Sequence, residues 1–438
     1  VLIASGLALA AVILGGASQE NALPQMWVQL LGIVALFAGL TRLGSSNALA
    51  RHSLSLILLG AVIAFPLLQL IPLPIEIWKN LPGHSIYAPV VDSVSGPGHW
   101  LPFSLTPDLG LRSFLFLLAP AGMFVLTLSQ TEDRQKLTLA GFAVGAGVCA
   151  MLGVLQVASG GDASLYAYPT TNLGFAVGTF ANKNHTASFL LVFMIMGTSA
   201  LLFRQKESQS LSSGMSVAMI SLLVVMTMVM IAVIRSRAGF LLFGLAFVAV
   251  ALMMFRRPEL LRRTLGKWSW ALPLGAVLIA AGLAAATPVL SRFAGSEPRL
   301  GFWPVVFEQA KAALPLGTGL GSFQPVYAAA EPLDTMVEAY INHAHNDYLE
   351  LLLEAGLPGV ILLGLGIAWF GVNARRIWAS NVSTSSSSPL GQAASLGIGL
   401  ILLHSLVDYP LRTEAMSVFL AYMMAIVCTP SEAAKSGR

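Results

Sequence analysis

The chain is a succession of apolar runs, each about 20 residues long, with short polar connectors between them. A helix of that length spans the hydrocarbon core of a bilayer, where only helices or closed barrels satisfy every backbone polar group. Twelve such runs are present, near 1–17, 26–41, 54–71, 110–130, 137–158, 185–203, 215–234, 238–255, 269–287, 356–372, 393–407 and 415–428. The first lacks the basic flank and cleavage site of a signal peptide and is counted as a span. Only 10% of the 438 residues are charged, against roughly 25% in soluble domains, which excludes a water-soluble enzyme. The 41 glycines and 23 prolines follow no triplet repeat. Cys149 and Cys428 fall in apolar stretches and read as small hydrophobes. The expected fold is an all-α polytopic membrane protein of about 12 transmembrane helices.

Lys and Arg near span ends mark the cytoplasmic side. With the N-terminus inside, the stretches 42–53, 131–136, 204–214, 256–268, 373–392 and 429–438 are cytoplasmic and hold 15 of the 24 basic residues. The cluster from Arg256 to Lys267 is then a topology anchor, and its position argues against nucleic-acid contact. The connectors at 72–109, 159–184 and 288–346 are long, and all three fall on the outer face. Long loops in compact proteins carry function or are disordered. Their Trp, Tyr, Pro and Gly content favours folded loops. No internal repeat of the transporter kind is visible.

The densest polar cluster closes the longest outer loop, Asn342-His343-Ala344-His345-Asn346-Asp347. Zinc is one option, but two histidines two apart with no third ligand nearby make a poor catalytic site, so no metal is expected. Helix capping by Asn342 or Asn346 accounts for the amides and leaves the histidines unexplained. Leu349 to Glu354 reads as an interfacial helical turn that Gly356 and Pro358 end. A second cluster, Arg235-Ser236-Arg237, sits in an outer turn, where paired arginines run against the charge rule. Headgroup snorkelling and anion binding both fit it. Arg299 and Lys183, the latter flanked by Asn184 and His185, are further outer cations. One account covers all of these: an anionic, membrane-anchored substrate. Gly317-Thr318-Gly319-Leu320-Gly321 follows no β-α-β pattern, and a flexible turn is the better reading. His404 and Asp408, four apart, are either a functional pair or a clamp between helices.

These residues resemble the O-antigen ligase and polysaccharide polymerase superfamily. Its hallmark is His followed by Asn, Ser or Gln, nine residues, then Gly-x-x-Gly. His345-Asn346, Asp347 to Ala355, and Gly356-Leu357-Pro358-Gly359 fit it. Pro315 to Phe323 looks like the lead-in to that motif. Ser236-Arg237-Ala238-Gly239 resembles a Ser-Arg-Gly element, Arg299 with Trp303 a loop arginine motif, and Gly178 to His185 a Gly-x-Phe-x-Asn-x-Asn-His stretch. The likeness covers roughly 178–359. It divides the chain into N-terminal helices (1–177), a ligase-like core (178–372) and C-terminal helices with a tail (373–438).

What the resemblance implies is a GT-C-like, inverting, metal-independent glycosyltransferase without a cofactor in a bacterial inner membrane, its active site facing the periplasm. The donor would be a glycan on undecaprenyl pyrophosphate, and the acceptor lipid A-core or a second lipid-linked glycan. His345 would act as base or orient the acceptor, and Arg237 and Arg299 would hold the pyrophosphate. Arg235, Lys183, Asn184, His185, His343, Asn346, Asp347 and Asp408 are expected around the substrate, Asp347 being an alternative base. The rival reading is a multi-spanning transporter or lipid-linked glycan flippase. It needs mid-membrane charges that these runs do not carry.

Overall fold

The structure, a computed structural model, describes residues 1–18, 22–44, 48–94, 98–170, 172–207, 213–256, 299–333, 336, 341–379 and 389–429. Eleven of the twelve expected runs coincide with an apolar helix, and the run at 269–287 lies outside the described residues. The first five are α1 (Leu2–Leu14), α2 (Ala22–Gly44), α3 (Ser53–Leu68), α4 (Pro107–Leu128) and α5 (Glu132–Ala158). The mid-chain helices are α6 (Lys183–Glu207), α7 (Ser213–Ile234) and α8 (Arg237–Phe255). The long connector after α8 supplies α9 (Arg299–Ala312) and α10 (Phe323–Ala330), and the chain closes with α11 (Asp347–Ala379), α12 (Pro389–His404) and α13 (Glu414–Cys428).

Seven of these helices, α2, α4 to α8 and α11, are long and apolar enough to cross a membrane. The other four, α1, α3, α12 and α13, have only 13 to 16 residues, so the described residues show seven candidate spans and four shorter apolar helices. The physical reason is visible at two of their ends. The α1 helix stops at Gly15, whose carbonyl accepts the Ala415 N–H (3.0 Å) at the start of α13. Thr413 opens α13 by accepting the Met416 N–H at its hydroxyl (3.4 Å). At these points the backbone leaves the helix to build polar contacts.

The most enclosed long helix is α6, with 78% of its apolar window buried. It packs against α5, α7, α8 and α12. A helix apolar on all sides belongs in such a place. The pair α2 and α4 forms a second layer, joined by α13 and α3. By contrast α11 is mostly peripheral and touches the rest through its first turns and again near its C-terminal end, where the Trp378 indole donates to Ser395 Oγ (2.8 Å).

The long connectors meet at one end of this bundle. Two three-residue strands, β1 (Pro72–Pro74) and β2 (Trp100–Pro102), pair antiparallel with Leu73 opposite Leu101 and close the base of the first. Leu105 N–H then donates to the Thr318 carbonyl (3.0 Å), tying that connector to the longest one. The longest connector has its own small core, with Val306 and Ala310 of α9 and Phe323, Val326 and Tyr327 of α10 buried against Ala344 and Leu353. Burying side chains such as Phe323 and Leu353 contributes roughly 1.5–3 kcal/mol each. The expectation of folded loops is met for these segments.

Candidate functional site

The site is built on a break in α11. At Gly356 the backbone turns to φ 56°, ψ −153°, inside what is otherwise one 33-residue helix. Only glycine fits, because a Cβ there would lie 2.3 Å from the Pro315 carbonyl oxygen. The break frees two backbone carbonyls. Leu357 N–H turns away to Pro315 O (2.8 Å), and Pro358 has no N–H to give. Thr318 N–H and Gly319 N–H take their places, donating to Leu353 O (3.0 Å) and Glu354 O (2.9 Å). The glycine-rich stretch from Gly317 to Gly321 is therefore a splint for the broken helix, which corrects its reading as a flexible turn.

The turns of α11 before the break present the histidine loop. Asn346 caps them, its side-chain oxygen accepting the Tyr348 and Leu349 N–H groups (3.1 and 3.0 Å). The cap occupies the side-chain oxygen of Asn346. Immediately before it, His345 takes φ +50°, a conformation a non-glycine residue holds at a cost of about 1–3 kcal/mol. Its neighbours are pinned on both sides. Ala344 N–H donates to Glu350 Oε2 (2.8 Å), Ala344 O accepts the Trp303 indole N–H (2.8 Å), and Asp347 N–H reaches Ser405 O (3.0 Å).

So presented, His345 places Nδ1 3.0 Å from Oδ1 of Asp408, which is wholly buried beyond the end of α12, while the imidazole keeps 19% of its surface exposed. The same Asp408 oxygen accepts the Tyr409 N–H (3.1 Å), and Oδ2 accepts the Asn184 amide (2.6 Å). Asn184 in turn accepts the Ser236 hydroxyl at 2.7 Å, and Ser236 Oγ caps α8 through the Gly239 N–H. Three hydrogen bonds thus link His345 to the residue between Arg235 and Arg237. His185 and His404 stand 3.8 Å from the two Asp408 oxygens, with His404 Nδ1 at 2.7 Å from Ser188 Oγ. The His404–Asp408 pair is therefore part of this network. Asn184, His185 and Asp408, expected around the substrate, are buried in this network. A carboxylate on Nδ1 makes that nitrogen the donor and leaves Nε2 as an acceptor. Among the described residues no cluster of metal-ligating side chains occurs.

The cations approach from the other side of this chain. Arg237 is the first residue of α8 and is partly buried; Arg235, at φ +55°, is exposed one step before the cap. The Lys183 ammonium lies over the Phe175 ring, 3.6 Å from its centroid. The side chain of Arg299 lies outside the described residues, though its backbone opens α9 one turn before Trp303, the residue bonded to the histidine loop. Phe302 of the same helix approaches the His345 ring at 6.1 Å.

A second charged cluster lies beside the first. Asp347, Glu350 and Glu354 occupy one face of α11, and Arg412 meets all three, at 3.7, 3.4 and 2.9 Å. Asp347 also accepts the Ser405 hydroxyl at 2.8 Å. Burial pushes the Asp347 carboxyl up to about 7 against the opposing pull of Arg412 and Ser405, so Asp347 and His345 both stay candidates for the base. Glu350 Oε1 takes His343 Nδ1 (2.8 Å), so His343 steadies the loop. Burial disfavours charge on His343, but the Glu350 carboxylate outweighs it and holds the imidazole above its ordinary value. Tyr409 lies against both loop histidines, with ring centroids 4.4 and 4.7 Å away, and burial pushes its phenol up to about 12. Sequence reasoning missed Arg412, Glu350 and Glu354 as site residues. The i, i+3, i+7 spacing of the acids was the available signal, since it puts them on one helix face.

Residues 222–364 match the sequence model of a family described as O-antigen ligase. No curated protein matches the chain. The matched stretch contains Arg235, Arg237, Arg299, the glycine-rich splint and the whole histidine motif, while Asp408, Asn184 and Arg412 fall outside it. Over residues 222–364, less than half of the chain, the sequence is therefore similar to the O-antigen ligase family.

Proposed function

We propose that this protein is a glycosyltransferase of the inner membrane that moves a glycan from an undecaprenyl-pyrophosphate carrier to an acceptor hydroxyl at the periplasmic face. One observation carries the reading: a partly exposed histidine, held on a buried aspartate, is joined through Asn184 and Ser236 to a pair of arginines. In the reaction, Nε2 of His345 takes the proton of the acceptor hydroxyl as its oxygen attacks the anomeric carbon. The bond from that carbon to the pyrophosphate oxygen breaks, and the electron pair leaves with the lipid pyrophosphate. Arg237 and Arg299 neutralise the charge that develops there, and Arg235 and Lys183 add to the local field. Attack opposite the leaving group inverts the anomeric centre. Asp408 stays ionised, orients the ring and stabilises the imidazolium. The residues present supply a base and an electrophilic clamp, so the step needs no metal.

The test is turnover by purified protein in EDTA, with an undecaprenyl-pyrophosphate-linked glycan as donor and lipid A-core or a second lipid-linked glycan as acceptor. Expected is transfer with inversion, and a fall of at least about 100-fold in kcat for Arg237→Ala and Arg299→Ala, the scale of losing a charge-stabilising donor. Dependence on added metal, or full activity in both variants, would refute the proposal.

A further inference from the structure

A cavity of about 920 Å³ lies between α2, α4 and the first turns of α11. Its wall reaches His343, two residues from His345, but not His345 or Asp408. One side is apolar, with Met26 of α2, Phe116 of α4 and Leu351 of α11. The other carries the Asp347, Glu350 and Glu354 carboxylates, the amides of Gln324 and Asn342, and Ser405. Carboxylates, amides and hydroxyls in this mixture recognise the O–H groups of a polyol, and an apolar wall suits the C–H face of a sugar ring. The cations of the inner wall are already engaged. Arg412 faces three carboxylates and His343 faces Glu350. Arg112, exposed on α4, is the remaining guanidinium among the lining residues. Such a wall is unsuited to a pyrophosphate.

We propose that this chamber binds the saccharide of the acceptor and selects a terminal sugar without a negative charge. The inference rests on the glycosyl-transfer reading above and divides the two substrates between two surroundings. The donor's pyrophosphate is drawn to the arginine side of His345, and the acceptor's hydroxyls come from the acidic side, beyond His343 and Tyr409. Ser113 sits on the α4 wall with its hydroxyl turned to the Leu109 carbonyl (2.9 Å), so a larger residue there grows into free space.

Transfer kinetics of the full chain in nanodiscs test this, with donor and acceptor varied separately. For Ser113→Phe the acceptor KM rises at least about ten-fold, while the donor KM stays within about two-fold. Gln324→Trp, at an exposed position on α10, repeats the acceptor effect should Ser113→Phe fail to fold. Acceptors ending in a neutral or amino sugar are used at least about ten-fold more efficiently than counterparts ending in a uronic acid or a phosphorylated sugar. An unchanged acceptor KM in the bulky variants, or a preference for anionic termini, overturns the chamber assignment. Absence of transfer by wild type with every acceptor refutes the glycosyl-transfer reading itself, a distinct result.

Discussion

Arg412→Met yields little or no folded protein. The guanidinium sits among three carboxylates that are almost fully buried, at 2.9 to 3.7 Å. Removing one partner of a buried ion pair costs about 3–5 kcal/mol, because a charge is left without compensation. Here Asp347 and Glu354 lose their cation while Glu350 keeps His343, so the loss is a large share of the roughly 5–15 kcal/mol that holds a whole domain together. The damage falls on the site as well. Glu350 holds the Ala344 N–H and His343, and Glu354 Oε1 accepts the Gly321 and Phe323 N–H groups (3.0 and 3.2 Å). Arg412→Lys restores a charge but not a fork able to reach three acids, and it falls between the two. Glu354→Gln recovers part of the loss in the Arg412→Met background, since a glutamine oxygen still accepts both backbone donors. Detergent-solubilised yield, monodispersity and melting temperature read the series. Wild-type behaviour of Arg412→Met would mean that the three acids are protonated or hydrated in the native state.

Asp408→Asn folds but turns over slowly. The substitution keeps the shape of a wholly buried side chain and removes its charge. An asparagine offers one oxygen where the aspartate uses two, one for His345 and Tyr409 N–H and the other for Asn184. The amide nitrogen must then face either the histidine or another amide donor. If it faces His345, Nδ1 becomes an acceptor and Nε2 carries the proton, which is the wrong tautomer for a base. The expected fall in kcat is about 10²–10⁴-fold, with little change in the KM for donor. The split between kcat and KM separates this from a general loss of structure. A proportionate rise in donor KM would instead place Asp408 in donor binding.

How much of this was legible beforehand depended on whether the signal was local. Apolar runs of span length, the Asn346 cap and the break at Gly356 are written in neighbouring residues, and the helices follow them. The topology of long connectors sharing one end also follows, because alternating spans leave no other arrangement. The partner of His345 was not legible. Asp408 lies 63 positions away and reaches the histidine only because α12 ends at His404 and the chain turns back. The same holds for Arg412, which in sequence is a single arginine before a short apolar helix. Gly317 to Gly321 misled for a related reason. Glycines read as freedom when considered alone, yet here their positive φ values and bare backbone allow close approach to Glu354.

In the proposed reaction His345 serves the acceptor hydroxyl while Arg237 and Arg299 hold the donor's lipid pyrophosphate. A cryo-EM structure of the protein in nanodiscs with undecaprenyl pyrophosphate bound tests it most directly. The account predicts pyrophosphate oxygens within hydrogen-bond reach of Arg237 and Arg299, with His345 Nε2 directed at the acceptor side, away from the leaving pyrophosphate, and Nδ1 still on Asp408. Pyrophosphate seated in the acidic chamber beside Arg412, or Arg237 and Arg299 on faces from which His345 is screened, would contradict it.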